Sequence, residues 1–136
     1  MKLKTLFFGM LIAAMAQAQI PSGISYQSVL RDTSGTLLVN QAVGIQITLL
    51  QGSTSGTEVF SETHSTSTNG NGLITLAIGQ GTPGTGDLAS VDWLNGPFFI
   101  KTEIDPSGGS SYTLSTTNAL NAVPYAYVAG IADSLQ

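Results

Sequence analysis

The chain lacks cysteine and has little charge. None of its 136 residues is cysteine, one is histidine, and 9% carry a charge. Without cysteine the fold has no disulfides, so a core of apolar side chains must hold it together. One histidine and no thiolate are too few ligands for a typical zinc centre, and we expect no metal site and no cofactor.

The chain also lacks an apolar run long enough to span a membrane. Its longest apolar run lies at the N-terminus. Two lysines precede an uncharged segment from Leu6 to Ala16, and Ala16, Gln17 and Ala18 form a small-x-small cleavage pattern. A membrane-spanning helix needs about 20 apolar residues, roughly twice this run. We therefore predict a cleavable signal peptide over residues 1–18, cut between Ala18 and Gln19, and a secreted or cell-surface protein exported through the Sec pathway.

Positive charge becomes scarce once the leader is removed. The remaining 118 residues keep Arg31 and Lys101 against eight acidic residues, a formal charge of −6. An acidic surface repels phosphate, so the composition argues against nucleic acid and anionic membranes as partners. No other run is long enough to span a bilayer, and we expect no membrane insertion after signal removal.

Strand patterns fill residues 19–122. The segment from Val43 to Leu49 alternates apolar and other residues, Ile74 to Ile78 does the same, and turn residues separate such runs. Asn69 to Gly72 predicts a hairpin turn. No stretch there has the length and period of an amphipathic helix. About seven short strands predict one all-β domain, an antiparallel β-sandwich that is immunoglobulin-like in architecture, preceded by a signal-peptide helix.

Two motifs resemble catalytic or nucleotide sites without their context. Gly79 to Gly84 matches G-x-G-x-x-G, but Pro83 does not open the helix that a dinucleotide site needs, so we predict a plain glycine-rich loop. His64 shares a period-two face with Glu58, Phe60 and Glu62. No nucleophile elbow accompanies it, and we interpret this face as solvated.

Acidic residues offer a third candidate. Glu103 and Asp105 lie two apart on one strand, about 7 Å between Cα atoms, a separation compatible with glycosidic cleavage. Lys101 on the same face indicates an ordinary outward polar face. We expect no catalytic residue and no enzyme, while a small glycosidase-like activity that Glu103→Gln would abolish stays open. A calcium ion bound in the turns after Asp32 or Asp105 also stays open.

Aromatic residues are the candidate ligand-binding groups. Alternation places Phe99 opposite Phe98 and away from the predicted core, and Trp93 lies in a segment without a clear strand pattern. Aromatic faces suit the apolar faces of sugars. Phe99 and Trp93 could therefore form a carbohydrate-binding platform.

Residues 123–136 differ from the rest. Pro124 favours an extended entry, while Tyr125, Val128, Ile131 and Leu135 recur at three- and four-residue steps, as on one face of a helix. We predict a short, extended-to-helical tail that could begin a stalk. Other protein chains are the expected partners, including a homo-oligomer through this tail, or else surface glycans.

Five motifs in this order resemble the N-terminal module of exported Bacteroidota proteins. They are GISYQSVLRD at residues 23–32, GLITLAIG at 72–79 with Gly81, VDW at 91–93 before GPFF at 96–99, EIDP at 103–106, and VPYA at 123–126. In that family the module precedes tail-fibre-like, collagen-like or coiled-coil stalks. The resemblance implies a structural module, and it carries over no catalytic residues.

These observations favour a secreted or cell-surface structural or adhesive module without catalytic activity, the N-terminal part of a fibre-like protein. The alternative is a carbohydrate-binding module that uses exposed aromatic residues.

Overall fold

The computed structural model describes residues 23–121. The predicted signal peptide, its cleavage site between Ala18 and Gln19, and the tail from residue 123 lie outside the described residues. Within them the chain is all-β, as predicted, with seven strands in two antiparallel sheets and one short 3-10 turn. No helix in this part of the chain is long and apolar enough to cross a membrane.

The strands follow the alternating segments of the sequence. Their bounds are β1 Ile24–Val29, β2 Ala42–Gln51, β3 Thr57–Ser67, β4 Leu73–Ile78, β5 Thr82–Pro83, β6 Phe98–Asp105 and β7 Leu114–Ala119, with the 3-10 turn at Leu88–Ser90. The small sheet pairs β1 with β4, and the large sheet has the order β5-β3-β2-β6-β7. All of these pairings are antiparallel.

The core lies between the two sheets. The four alternating residues predicted to share a face of β2 are all buried, and β4 and β6 contribute their own alternating sets to the same cluster. These residues are Val43, Ile45, Ile47, Leu49, Ile74, Leu76, Ile78, Phe98, Ile100 and Ile104. Burying each such side chain contributes about 1.5–3 kcal/mol. This apolar layer holds the domain together without a disulfide.

The turn at Asn69 forms, but the predicted hairpin does not. The Asn69 side chain accepts hydrogen bonds from the backbone N–H groups of Asn71 and Leu73, and Gly72 adopts a φ of +73°. The strands on either side nevertheless lie in different sheets, because β4 pairs with β1. A turn motif fixes a local reversal of the chain, whereas the pairing partner depends on long-range packing.

A loop covers one edge of the large sheet. Beyond β5, the chain continues along β3, where Ser61 exchanges backbone hydrogen bonds with Gly84 and Thr85, and its hydroxyl accepts from the Thr85 N–H. Covering an edge in this way satisfies backbone groups that would otherwise recruit another strand. The opposite edge, formed by β7, has no such cover among the described residues.

Candidate functional site

The loop between β5 and β6 carries two exposed large apolar side chains, one of which, Leu94, is the most exposed of its kind among the described residues. Asp87 precedes the 3-10 turn, and its carboxylate accepts a hydrogen bond from the Ala89 N–H (3.1 Å). Trp93 and Leu94 follow, with 42% and 85% of their surfaces exposed. Few large apolar side chains in this part of the chain face solvent in this way, so the loop is a candidate contact surface.

One side of the Trp93 ring is fixed by the core. Its centroid lies 5.1 Å from that of the buried Phe98, with the ring planes tilted by 57°. Aromatic pairs of this kind contribute about 0.5–1.5 kcal/mol beyond area burial. The indole is therefore held in place while part of its surface stays open to solvent.

A cleft of about 540 Å³ lies beside Trp93. Its wall combines apolar groups with one acid and with glycine backbone, and its residues include Gly23, Ile24, Gly79, Asp87, Leu88 and Trp93. An apolar wall with a few polar groups is the usual character of a small-molecule site. The cleft is thus a candidate small-molecule site.

The two aromatic residues predicted to act together do not meet. Phe99 is half-buried and pairs across the sheet with Leu50 and Ala119, on the outer face of the large sheet. Trp93 packs against Phe98, which lies on the other face of the same strand. Because successive strand residues point to opposite faces, Phe99 and Trp93 cannot form one platform.

Sequence reasoning missed the strongest polar cluster of the domain. Glu62 is only 2% exposed, so the interpretation of its strand face as solvated is wrong. Its Oε1 lies 2.7 Å from His64 Nε2 and accepts from the Gly79 N–H (2.8 Å), while Oε2 accepts from the Gly81 N–H (3.1 Å). The signal was present in Phe60, a core residue two positions away on the same face.

The glycine-rich motif binds this carboxylate and begins no helix. Residues 79–81 form the turn that leads into β5, as the loop prediction required. A Cβ on Gly81 would lie 2.6 Å from His64 Nε2, so only glycine lets the chain pass so close to the imidazole. Two backbone N–H groups of this turn, from Gly79 and Gly81, therefore donate to the carboxylate of Glu62.

The carboxylates of Glu103 and Asp105 have different partners. Glu103 lies 3.1 Å from Lys101 Nζ at the surface. Asp105 is 3% exposed, and its oxygens accept from the hydroxyl and N–H of Ser107 and from the N–H of Ser111. These bonds lower the pKa of Asp105 below its usual value of 3.8, with the Ser107 hydroxyl as the largest cause. Asp105 thus organises a loop, and Glu103 is a surface ion-pair partner.

The loop after β6 also carries Tyr112. Burial raises the pKa of the Tyr112 phenol, and the negative charges of Glu103 and Asp105 raise it further. Within residues 23–121, no three histidine or acidic side chains come close enough to hold a metal ion.

Comparison with known proteins gives a family. No curated protein matches the chain, and no solved structure does. The model of one family, described as a domain of unknown function (DUF8740), matches residues 25–117, which span β1 to most of β7. The chain therefore belongs to the DUF8740 family.

Proposed function

We propose that this protein is a secreted or cell-surface structural or adhesive module without catalytic activity. The observation that carries the proposal is the loop of Trp93 and Leu94, which presents apolar side chains from a rigid two-sheet scaffold. Burying Leu94 against a partner would contribute about 1.5–3 kcal/mol. Tryptophan is among the residues that most often dominate binding energy at interfaces.

Export and architecture belong to the same proposal. Export through the Sec pathway, with cleavage of residues 1–18, would place the acidic, cysteine-free domain in the periplasm or outside the cell. An immunoglobulin-like arrangement of the sandwich, and a position at the N-terminus of a fibre-like Bacteroidota protein, are consistent with the strand pattern and with the five motifs. Detection of a mature N-terminus at Gln19 in secreted material would support this part, and an intact leader in the mature protein would contradict it.

Adhesion through the loop is tested with a double variant. We expect Trp93→Ala combined with Leu94→Ser to abolish binding of the purified chain to immobilised cell-surface proteins and glycans, because both apolar contacts are removed. Biolayer interferometry measures the binding. Val39→Ser is the matched control, since Val39 is 41% exposed on a different loop. Equal binding by both variants and the unmodified chain would contradict the role of this loop.

Carbohydrate binding is the second candidate, and the cleft beside Trp93 favours it. The Asp87 carboxylate and the indole line the same cavity, which offers a sugar a hydrogen-bond acceptor and an aromatic face. Binding on a glycan array that Trp93→Ala abolishes and Phe99→Ala leaves unchanged would support this candidate. Loss on Phe99→Ala alone would move the sugar site to the outer face of the large sheet.

Self-association through residues 123–136 completes the proposal. The segment contains one charged residue, Asp133, and its apolar residues suit contact with another chain. Sedimentation of residues 19–136 against residues 19–122 tests this association. We expect a larger mass for the longer chain, and two monomers of the calculated masses would contradict it.

A further inference from the structure

Two strand edges on one side of the sandwich have no neighbour. Within residues 23–121, β1 pairs only with β4, and β7 pairs only with β6. The hydrogen bond from the Leu30 N–H to the Gly72 carbonyl fixes the alternation of β1, so the backbone groups of Ser25, Gln27 and Val29 point away from β4. A row of free donors and acceptors of this kind is a template for another strand.

The two-stranded small sheet does not cover the inner face of β7. β1 lies over β6, where Tyr26 Oη is 2.9 Å from Thr102 Oγ1, and β4 contacts β3. The inner face of β7 therefore extends beyond β1. A groove of about 380 Å³ follows, and its wall includes Val29, Leu30, Ile104, Leu114 and Thr116. A strand added to the free edge of β1 would cover this groove.

The exposed edge strands lack the usual protection. The opposite edge of the large sheet is covered by β5 and contains Pro83. By contrast, β1 and β7 contain neither proline nor a charged residue. Edge strands normally carry charges, prolines or covering loops that block pairing. β4 also has one edge without a strand neighbour among the described residues, but it lies on the side where the edge of β3 is covered, whereas β1 and β7 are both open on the same side.

We propose that residues 123–129 of a second copy of this chain add to the free edge of β1 as an antiparallel strand. This inference rests on the proposed self-association through the tail and names its surface. The segment, VPYAYVA, is uncharged and rich in β-formers. Its length of seven residues matches the six residues of β1.

The alternation of the segment fits the groove. Tyr125 and Tyr127 share one face, and on an added strand they would reach the hydroxyl and amide groups of Thr116 and Asn118, as Tyr26 reaches Thr102. With those tyrosines facing inward and Ala126 opposite Gln27, Pro124 lies opposite Val29 near the start of the added strand, where its missing N–H removes one bond of the ladder and leaves those of Gln27 and Ser25 in place. Proline is tolerated at the start of a strand.

Chain direction favours a second copy over the chain's own tail. β1 begins close to Phe98, the first residue of β6, because Ile24 lies beside Trp93, which packs on Phe98. β1 ends close to Ile104, near the last residue of β6, so the two strands run in the same direction. β7 runs the opposite way, so the chain leaves it where β1 begins. Its own tail would have to reverse and lie parallel to β1, whereas a tail from another molecule can pair antiparallel, the more stable arrangement.

Disulfide trapping tests the pairing, because the chain has no cysteine of its own. The variants Gln27→Cys and Ala126→Cys are prepared separately with tags of different mass, mixed and oxidised. Both side chains would point outward from the extended small sheet. We expect a covalent heterodimer at about ten times the yield obtained when Thr33→Cys, in an exposed turn, replaces Gln27→Cys.

Two further variants separate strand pairing from simple contact. Val128→Pro removes an N–H that would face β1, and we expect the heterodimer yield to fall to the level of the Thr33→Cys control. Ala129→Pro removes an N–H that would point away from β1 and keeps both tyrosines, so the yield should persist. Heterodimer at the control level, or equal loss with both prolines, would overturn the proposal.

A double variant that carries Gln27→Cys and Ala126→Cys in one chain tests whether the strand pairs between two copies or within one chain. Crosslinked dimers support pairing between copies, and crosslinked monomers alone would overturn it in favour of the chain's own tail. Concentration-dependent mass in sedimentation without the heterodimer would show that the tail associates at another surface. In that case the proposed self-association would stand while this inference fails.

Discussion

At the scale of single residues, Glu62 shows how a charge is held in the core of a small domain. Its carboxylate has partners on both oxygens, from His64 and from two backbone N–H groups of the loop before β5. Buried charges persist only when paired and hydrogen-bonded in this way. The Glu62 carboxylate also ties β3 to the loop that connects β4 of the small sheet with β5 of the large sheet.

We expect Glu62→Gln to lower the free energy of unfolding by about 1–3 kcal/mol. The glutamine amide has nearly the same shape, but it replaces one acceptor oxygen by an NH₂ group that would face donor N–H groups. Urea denaturation measures the change. Glu58→Gln is the matched control, because Glu58 is exposed on the same strand. A Glu62→Gln effect no larger than that of the control would contradict the role assigned to this carboxylate.

At the scale of elements, the loop after β6 depends on Asp105 and on the absence of a side chain at Gly44. Asp105 accepts hydrogen bonds from Ser107 and Ser111 across the loop. Gly44 is its cross-strand neighbour on β2, and a Cβ there would lie 1.8 Å from the Gly109 carbonyl oxygen. The loop therefore packs directly onto the backbone of β2.

The lowered pKa of Asp105 predicts a pH-dependent stability. Because the folded-state pKa lies below 3.8, the stabilisation is fully present above that pH and is lost as pH falls through the lower folded-state value. We expect Asp105→Asn to be less stable than the native chain at neutral pH, with a difference that narrows below pH 3.8. Urea denaturation across this range measures it, and a difference independent of pH would contradict the prediction.

At the scale of the whole molecule, two sheets of unequal width share one core. Within residues 23–121, the large sheet has five strands and the small sheet two. An isolated two-stranded sheet is marginal in water, so the small sheet depends on packing against the large one. The hydrogen bond between Tyr26 and Thr102 joins the two layers across the core.

Removal of this bond should weaken the contact between the sheets. We expect Tyr26→Phe to lower the free energy of unfolding by about 0.5–1.5 kcal/mol, since it leaves the Thr102 hydroxyl without its partner in a buried position. Chemical denaturation measures the loss. Tyr112→Phe serves as the control because Tyr112 makes no bond between the sheets, and an equal loss in both variants would argue against the assigned role.

Local alternation was sufficient to predict the all-β class and much of the core. Val43 and Ile45, like Ile74 and Leu76, lie two apart and share a buried face because the period of a strand is two. The same rule misassigned Glu58, which was grouped with Phe60. A bulge in the pairing of β2 with β3 interrupts the alternation there, and Glu58 pairs with Leu50.

The candidate site could be predicted less well than the core, because its residues are brought together only by tertiary structure. The sequence identified Trp93 and Phe99 as exposed aromatic residues, but only the fold separates them onto different faces and adds Asp87 and Leu88 beside Trp93. It also turns Glu62 inward, onto amides that lie 17 and 19 residues further along the chain. Contacts of that range leave no periodic signal in the sequence.

The sequence by itself determined that this chain forms short antiparallel strands around an apolar core without disulfides, since composition and alternation are local properties. Tertiary structure alone decided which strands became neighbours. β4 pairs with β1 and not with β3, the chain after β4 covers the edge of β3, and within residues 23–121 β1 and β7 each have one edge without a strand neighbour. The physical reason is that strand pairing and burial are set by interactions between segments distant in sequence.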